Sequence, residues 1–291
     1  MRKAIVLFLF LFQLVLVRAQ LVQVEYNFNN VGDCIFGAHN QSKTPLYLHM
    51  WFTNLEYTSF REELPYIKKL DPGYNSLFTL ARESEEGAPQ FIFEIKTFRS
   101  DPAPEINLDF PYLVPFAPGT EMKPVDISSI AGFWGPEEPK GWKATGFSAS
   151  QGMPVFAARQ GQIVEITGTS RTGNSQTLYN TLMNAITLLQ PDGTLITYKN
   201  VVDKSNSLKL NQKIQAGEML GEVAAGANEL VLVIYHYSLS STGLQFIIPS
   251  FLTEPGKTEI VNSAQTIKVV HPDEVRGLEM TRKEQRQYLK K

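Results

Sequence analysis

Gln151-Gly152-Met153-Pro154-Val155-Phe156-Ala157-Ala158-Arg159-Gln160-Gly161-Gln162-Ile163-Val164 decides how the second half of the chain is read. Gly152 and Gly161 bracket a short strand, and each permits a tight backbone turn. Downstream, Asn184 to Tyr198 holds two β-rich runs joined around Pro191-Asp192-Gly193, the composition of a hairpin. Leu208 to Val223 repeats the theme: short strands, with Gly217 and Gly221 marking the bends. Three such segments in succession describe an all-β region of short strands.

The residues upstream are also β-rich. Val22 to Tyr26 alternates, and Leu46-Tyr47-Leu48-His49-Met50-Trp51-Phe52 is dense enough for a core strand. Asp71-Pro72-Gly73 signals a turn; Leu77 to Leu80 and Phe91 to Lys96 follow as further strands. Short Val-, Ile-, Tyr- and Phe-rich runs split by Gly, Pro, Asn and Asp predict an antiparallel, immunoglobulin-like sandwich over 20–100. Residues 101–119, with Pro102, Pro104, Pro111, Pro115 and Pro118, read as an extended linker. A second β-domain is expected over 120–270. The charged tail 271–291 reads either as a solvated terminal helix or as a docking segment.

Composition bounds the rest. The chain has 291 residues, 43% hydrophobic and 19% charged, which is globular rather than disordered. A formal net charge of -2 supplies no attraction to nucleic acid or to an anionic membrane. Arg2 and Lys3 precede an apolar run, Ile5 to Val17, and Val17-Arg18-Ala19 offers small residues at cleavage spacing. This predicts a signal peptide over 1–19, secretion or export to the periplasm, and no membrane span after cleavage. Cys34 is the sole cysteine, so no internal disulfide is available, and it reads as a small buried hydrophobe. His39 is the only histidine near enough in sequence to suggest a catalytic thiol.

The "G-x-P-V" step around Pro154, the "D-G-T…Y" hairpin from Asp192 to Tyr198, and the step from Leu208 to Val223 occur in an order that resembles lysostaphin-type (LytM-like) zinc endopeptidases of peptidoglycan. The resemblance spans roughly 143–236. It implies a duplicated-hybrid-motif, barrel-sandwich β-fold and a hydrolytic zinc held by three protein ligands with one open position for water. It also implies which positions should carry the site, and each is replaced. The Asp of "A-x-D-F" falls on Gly146, and the His of "Y-x-H" on Asn200, with Tyr198 retained. The "H-x-H" strand falls on Glu229 to Ile234; in either register neither position is His, and Leu230 and Leu232 are taken as the former site positions. No His occurs between Trp51 and Tyr235 to serve as the upstream ligand.

Two other placements of a site are open on sequence. Glu137, Glu138 and His236 could meet as a displaced zinc site, or form a solvated loop and a strand end. Ser170 and Ser175 lie in a loop over 169–181 with no nearby His to activate them. Trp134, Trp142 and Tyr198 are candidate groove residues for a saccharide or peptide, with plain packing as the other reading. The expectation is a secreted, non-catalytic relative of the endopeptidases with no cofactor, a binding or regulatory module whose partner is peptidoglycan or an envelope protein. The alternatives are an active metalloendopeptidase with a displaced zinc site and a structural or adhesive β-protein.

Overall fold

The computed structural model describes residues 21–130, 138–168, 183–239 and 243–289. Its first part consists of six strands: β1 (Val22–Phe28), β2 (Cys34–Asn40), β3 (Leu46–Glu56), β4 (Tyr66–Leu70), β5 (Gly73–Leu80) and β6 (Gln90–Phe98). They form two antiparallel three-stranded sheets, ordered β1-β2-β5 and β4-β3-β6. In β2 the alternation is plain: Cys34, Phe36 and Ala38 are buried while Ile35 and His39 are exposed. The inner faces meet over Phe36, Leu48, Met50, Leu70 and Leu80. Phe36 and Phe78 stack with centroids 4.8 Å apart, and Phe60 meets Phe78 edge-on at 4.9 Å. The expected sandwich is present; its six strands are one fewer than the seven of an immunoglobulin constant-type domain. Burial pushes the Cys34 thiol up to about 11, and His39 lies exposed on the other side of the strand, so the pair has no nucleophilic chemistry.

The second part is built on one large sheet. Its strands are β9 (Pro124–Val125), β10 (Thr145–Ser148), β12 (Gly161–Thr167), β13 (Ala185–Leu189), β14 (Leu195–Lys199), β16 (Lys213–Ile214), β18 (Glu229–Tyr237) and β19 (Leu244–Ile247). The order is β16-β12-β13-β14-β18-β10-β9, with β19 added beside the far half of β18. The hairpin expected around Pro191-Asp192-Gly193 joins β13 to β14, with Gly193 at φ 85°. A smaller sheet, β11 (Pro154–Phe156), β17 (Met219–Val223) and β15 (Val201–Val202), packs on one face of the large one. Val155, Leu220 and Val223 from the small sheet share that core with Phe147, Ile163, Ile196 and Leu230.

The proline-rich stretch is not an extended linker throughout. Strand β7 (Pro111–Leu113) pairs parallel to β20 (Ser250–Glu254), and Phe110, Tyr112, Val114 and Phe116 are buried in the second core. The prolines still act as the sequence suggests, keeping the backbone extended, but here the extended backbone is packed. Strands β8 (Glu121–Met122), β21 (Lys257–Glu259) and β22 (Ile267–Lys268) complete the edge, β8 pairing with β22 and β21 with β20.

Nor is the tail free. It forms two short helices, α1 (Asp273–Arg276) and α2 (Arg282–Tyr288), the second opened by a capping box of Thr281 and Glu284. Between them, Glu279 makes a forked ion pair with Arg159, Oε1 lying 2.7 Å from Nη2 and 3.0 Å from Nε. Arg159 also donates to Asp192 Oδ2 at 2.7 Å and to the Tyr112 hydroxyl at 3.0 Å, and lies over the Phe110 ring at 4.0 Å. One buried guanidinium thus joins the tail, the proline-rich segment and the β13–β14 turn. Such a cluster is costly to break rather than strongly stabilising, because each partner left alone is an uncompensated buried charge. Neither helix buries a residue, as the solvated reading of the tail expects, while Glu279 between them holds the tail to Arg159. Among the described residues no helix is long and apolar enough to cross a membrane. The expected signal peptide lies outside the described residues.

Candidate functional site

Strand β18 runs through the middle of the large sheet, between β14 and β10. Its alternation assigns two faces. Leu230, Leu232 and Ile234 point into the core under the small sheet, together with Tyr198, Ile196 and Phe147. Val231, Val233 and Tyr235 point the other way, with Ala185, Leu189 and Leu195. Gly146 of β10 stands opposite Val231, and Thr145 opposite Leu232. A Cβ built on Gly146 would meet Ile127 Cδ1 at 2.4 Å and Val125 Cγ2 at 2.9 Å, so position 146 faces the Val231 side.

This corrects the expected site. Gly146 does not share a face with Leu230 and Leu232, so these positions do not converge. Its cross-strand companion is Val231. The four expected positions are instead spread over two faces and a turn. Asn200 sits just past β14 with φ 69°, a left-handed conformation that Asn adopts readily. Its Nδ2 donates to the Glu229 carbonyl at 3.0 Å, and its backbone carbonyl accepts from Ala224 N at 2.8 Å. These bonds fix a turn and occupy the side chain.

The face bearing Gly146 and Val231 is covered. Ile127, Ile130, Trp142 and Ala144 pack on it from the segment around β10, and Tyr47, Ile67 and Phe98 reach it from the sandwich. Val231 and Val233 are fully buried, and Ile130 is 1% exposed. Each buried valine contributes about 1.5–3 kcal/mol relative to exposure. A zinc site needs several polar ligands aimed at one point and an open position. The residues here are apolar and packed, and they do not fit the metal. Among the described residues, no group of three or more His, Cys, Asp or Glu is placed to hold an ion.

Of the groove candidates, Tyr198 is fully buried and cannot line a groove; its hydroxyl accepts from Ala158 N at 2.8 Å, and burial holds its pKa above the usual tyrosine value. Trp142 is half-buried, and its Nε1 donates to Glu138 Oε2 at 2.9 Å. Glu138 Oε1 also accepts from Ser129 Oγ at 2.6 Å and from Ile130 N at 2.5 Å. The carboxylate therefore ties Ser129, Ile130 and Trp142 together beside Val231. His236 sits at the end of β18 with Nδ1 2.8 Å from the Tyr237 carbonyl oxygen. Trp134, Glu137, Ser170 and Ser175 lie outside the described residues.

Sequence reasoning missed Ile127 and Ile130, and did not place Tyr47 and Val231 on this face. The available signal was the unbroken apolar run from Leu230 to Tyr235, which marks a strand buried on both sides.

No family model matches the chain, and no curated protein does. Among solved structures it is similar to the catalytic domain of the antimicrobial peptidase lysostaphin from Staphylococcus simulans, at 23% identity. That likeness covers 37% of this chain and 80% of that one, with a TM-score of 0.27. It is also similar to pseudoalterin, a deep-sea M23 metalloprotease, at 14% identity over 56% of this chain and 97% of that one, with a TM-score of 0.33. Helicobacter pylori Csd3 is matched over 89% of this chain at 11% identity, with a TM-score of 0.29; the chain spans 57% of that protein. The structural neighbours are thus peptidases of the lysostaphin and M23 type.

Proposed function

We propose that the chain is a secreted, non-catalytic relative of the lysostaphin-type endopeptidases that acts in the bacterial envelope by binding, either to peptidoglycan or to a protein of the envelope. The motif order over 143–236 supports the kinship. The observation that carries the non-catalytic part is the packing at Gly146. Where the resemblance expects a metal-binding carboxylate, a side chain would collide with Ile127, and the strand opposite offers Val231. A sheet whose former working face is dry core can present only its edges and loops to a partner. In this reading residues 20–100 and 120–270 are separate domains fused across a shared apolar interface, Tyr47, Ile67 and Phe98 against Val231, Val233 and Tyr235.

The test is sedimentation with purified sacculi, using the mature chain from residue 20. Retention in the pellet, without release of soluble cross-bridge peptides above a buffer control, is the expected result. Release of such peptides overturns the non-catalytic reading. Failure to sediment, alone or with an envelope extract, overturns the binding role and favours the structural reading.

A further inference from the structure

The sandwich leaves one strand edge built for pairing. Its four outer strands are β1, β4, β5 and β6, and among the described residues β6 pairs with β3 alone. An open edge is a template for another strand, and proteins usually blunt it. Strand β4 carries Lys68 and Lys69, which repel a second copy. Strand β5 carries no charge, and β1 carries only Glu25, so neither selects a register. Strand β6, Gln90-Phe91-Ile92-Phe93-Glu94-Ile95-Lys96-Thr97-Phe98, has opposite charges two residues apart.

The packing under β6 is also incomplete. Leu48 and Met50 of the neighbouring β3 are fully buried, yet Phe91, Phe93 and Ile95 on the inner face of β6 are only half-buried. Tyr26, whose ring centre lies 4.8 Å from that of Phe91, is 47% exposed, and Ile92 on the outer face is 60% exposed. The sandwich is one strand short on this side.

We infer that β6 pairs with β6 of a second copy of this chain, antiparallel about a two-fold axis through Ile95. In antiparallel pairing, residues directly opposite share the same orientation, so a two-fold axis must pass through a residue rather than between residues. An axis at Glu94 sets that carboxylate against itself. An axis at Phe93 leaves Lys96 opposite Gln90. Only the axis at Ile95 sets Glu94 opposite Lys96, and it does so twice by symmetry. The same register lays exposed Ile92 opposite Phe98 and Phe93 opposite Thr97. Lys96 is already held on the outer face, its Nζ 5.5 Å from the centre of the Trp51 ring. The product is a continuous six-stranded sheet, and the inner-face aromatics of each copy gain a neighbouring strand.

The experiment is sedimentation equilibrium of the full mature chain up to about 1 mM, where even weak self-association is populated. The expected result is a monomer–dimer equilibrium. Glu94→Lys and Lys96→Glu should each weaken it about tenfold or more, since each places like charges opposite twice. The double variant E94K/K96E should restore it to within about threefold. Both residues are on the surface, so the variants fold. Under an added oxidant, Ile95→Cys should cross-link, because residues on the axis lie about 4.5–5.5 Å apart at Cα; Cys34 is buried and does not compete. Thr97→Cys, four residues off its own symmetry mate, should not. A monomer at every concentration overturns the inference. So does a dimer indifferent to both charge reversals, or one cross-linked through position 97 and not 95.

Discussion

The two faces of β18 are alike in burial and different in origin. On one, Leu230, Leu232 and Ile234 pack against the small sheet β11-β17-β15. On the other, Val231, Val233 and Tyr235 pack against the sandwich and against Ile127, Ile130, Trp142 and Ala144. The first face is covered by the region's own second layer, as any sheet in a two-layer region must be. The second is covered by material from outside that layer, laid over Gly146, where the resemblance expects a carboxylate; Leu230 and Leu232 lie on the first face. A buried polar cluster without its metal would leave donors and acceptors unpaired, at about 1–3 kcal/mol each. Apolar replacement together with a cover removes that cost. The sequence change and the added packing are two halves of one solution.

The largest effect that could break this comparison is at Gly146. Gly146→Asp forces a side chain into Ile127, an overpacking cost of about 1–3 kcal/mol, and buries a carboxylate with no designated partner, about another 1–3 kcal/mol. Chemical denaturation should therefore show a loss of roughly 2–6 kcal/mol. A loss under about 0.5 kcal/mol, the range of an ordinary surface change, would mean that this face is open.

Next in size, Leu232→Ala tests the first face and should cost about 2–5 kcal/mol. Val233→Thr tests the second at nearly constant volume. If Val233 is dry, its hydroxyl analogue costs about 1–3 kcal/mol; a neutral result would sharpen the difference between the faces by showing water on the second. A smaller, coupled effect separates collision from polarity. Gly146→Ala and Ile127→Ala should be non-additive by about 0.5–3 kcal/mol, because removing the Ile127 side chain makes room for the new methyl group.

The smallest expected effect lies in the docked tail. His271 is half-buried with Nε2 2.9 Å from the Val114 carbonyl oxygen; partial desolvation, opposed by that hydrogen bond and aided by Arg276, holds its pKa below the usual 6.5. Below pH 6.5 the unfolded chain takes up a proton that the folded chain refuses, so His271's contribution is whole above that pH and declines as pH falls. Equilibrium unfolding from pH 7.5 to 5.5 should show this slope in the wild type, and a flatter one in His271→Gln.

Much of the architecture was legible in the sequence. Leu46 to Phe52, Phe91 to Lys96 and the Asn184 to Tyr198 hairpin are strands because alternation and turn chemistry agree there. The proline-rich segment misled because proline specifies an extended backbone but says nothing of burial; Tyr112 and Phe116 were the apolar residues that signalled packing. The anchoring of the tail was not legible because its deeply engaged charge, Glu279, is matched by Arg159 over a hundred residues away. At the site, loss of the expected ligands could be read residue by residue, but the facing of β18 could not. Every residue from Leu230 to Tyr235 is apolar or aromatic, so no alternation marks which side is which, and a one-residue slip exchanges the faces. The cross-strand partner Val231 of Gly146 decides it, and that pairing exists only in the fold.

The most direct test of the central claim is the zinc content of the purified chain from residue 20 onward after zinc saturation and mild chelation. A filled, apolar face around Gly146 and Val231 predicts no stoichiometric zinc and no shift in melting temperature on adding the metal. Close to one zinc per chain, retained through chelation and raising the melting temperature, would contradict it.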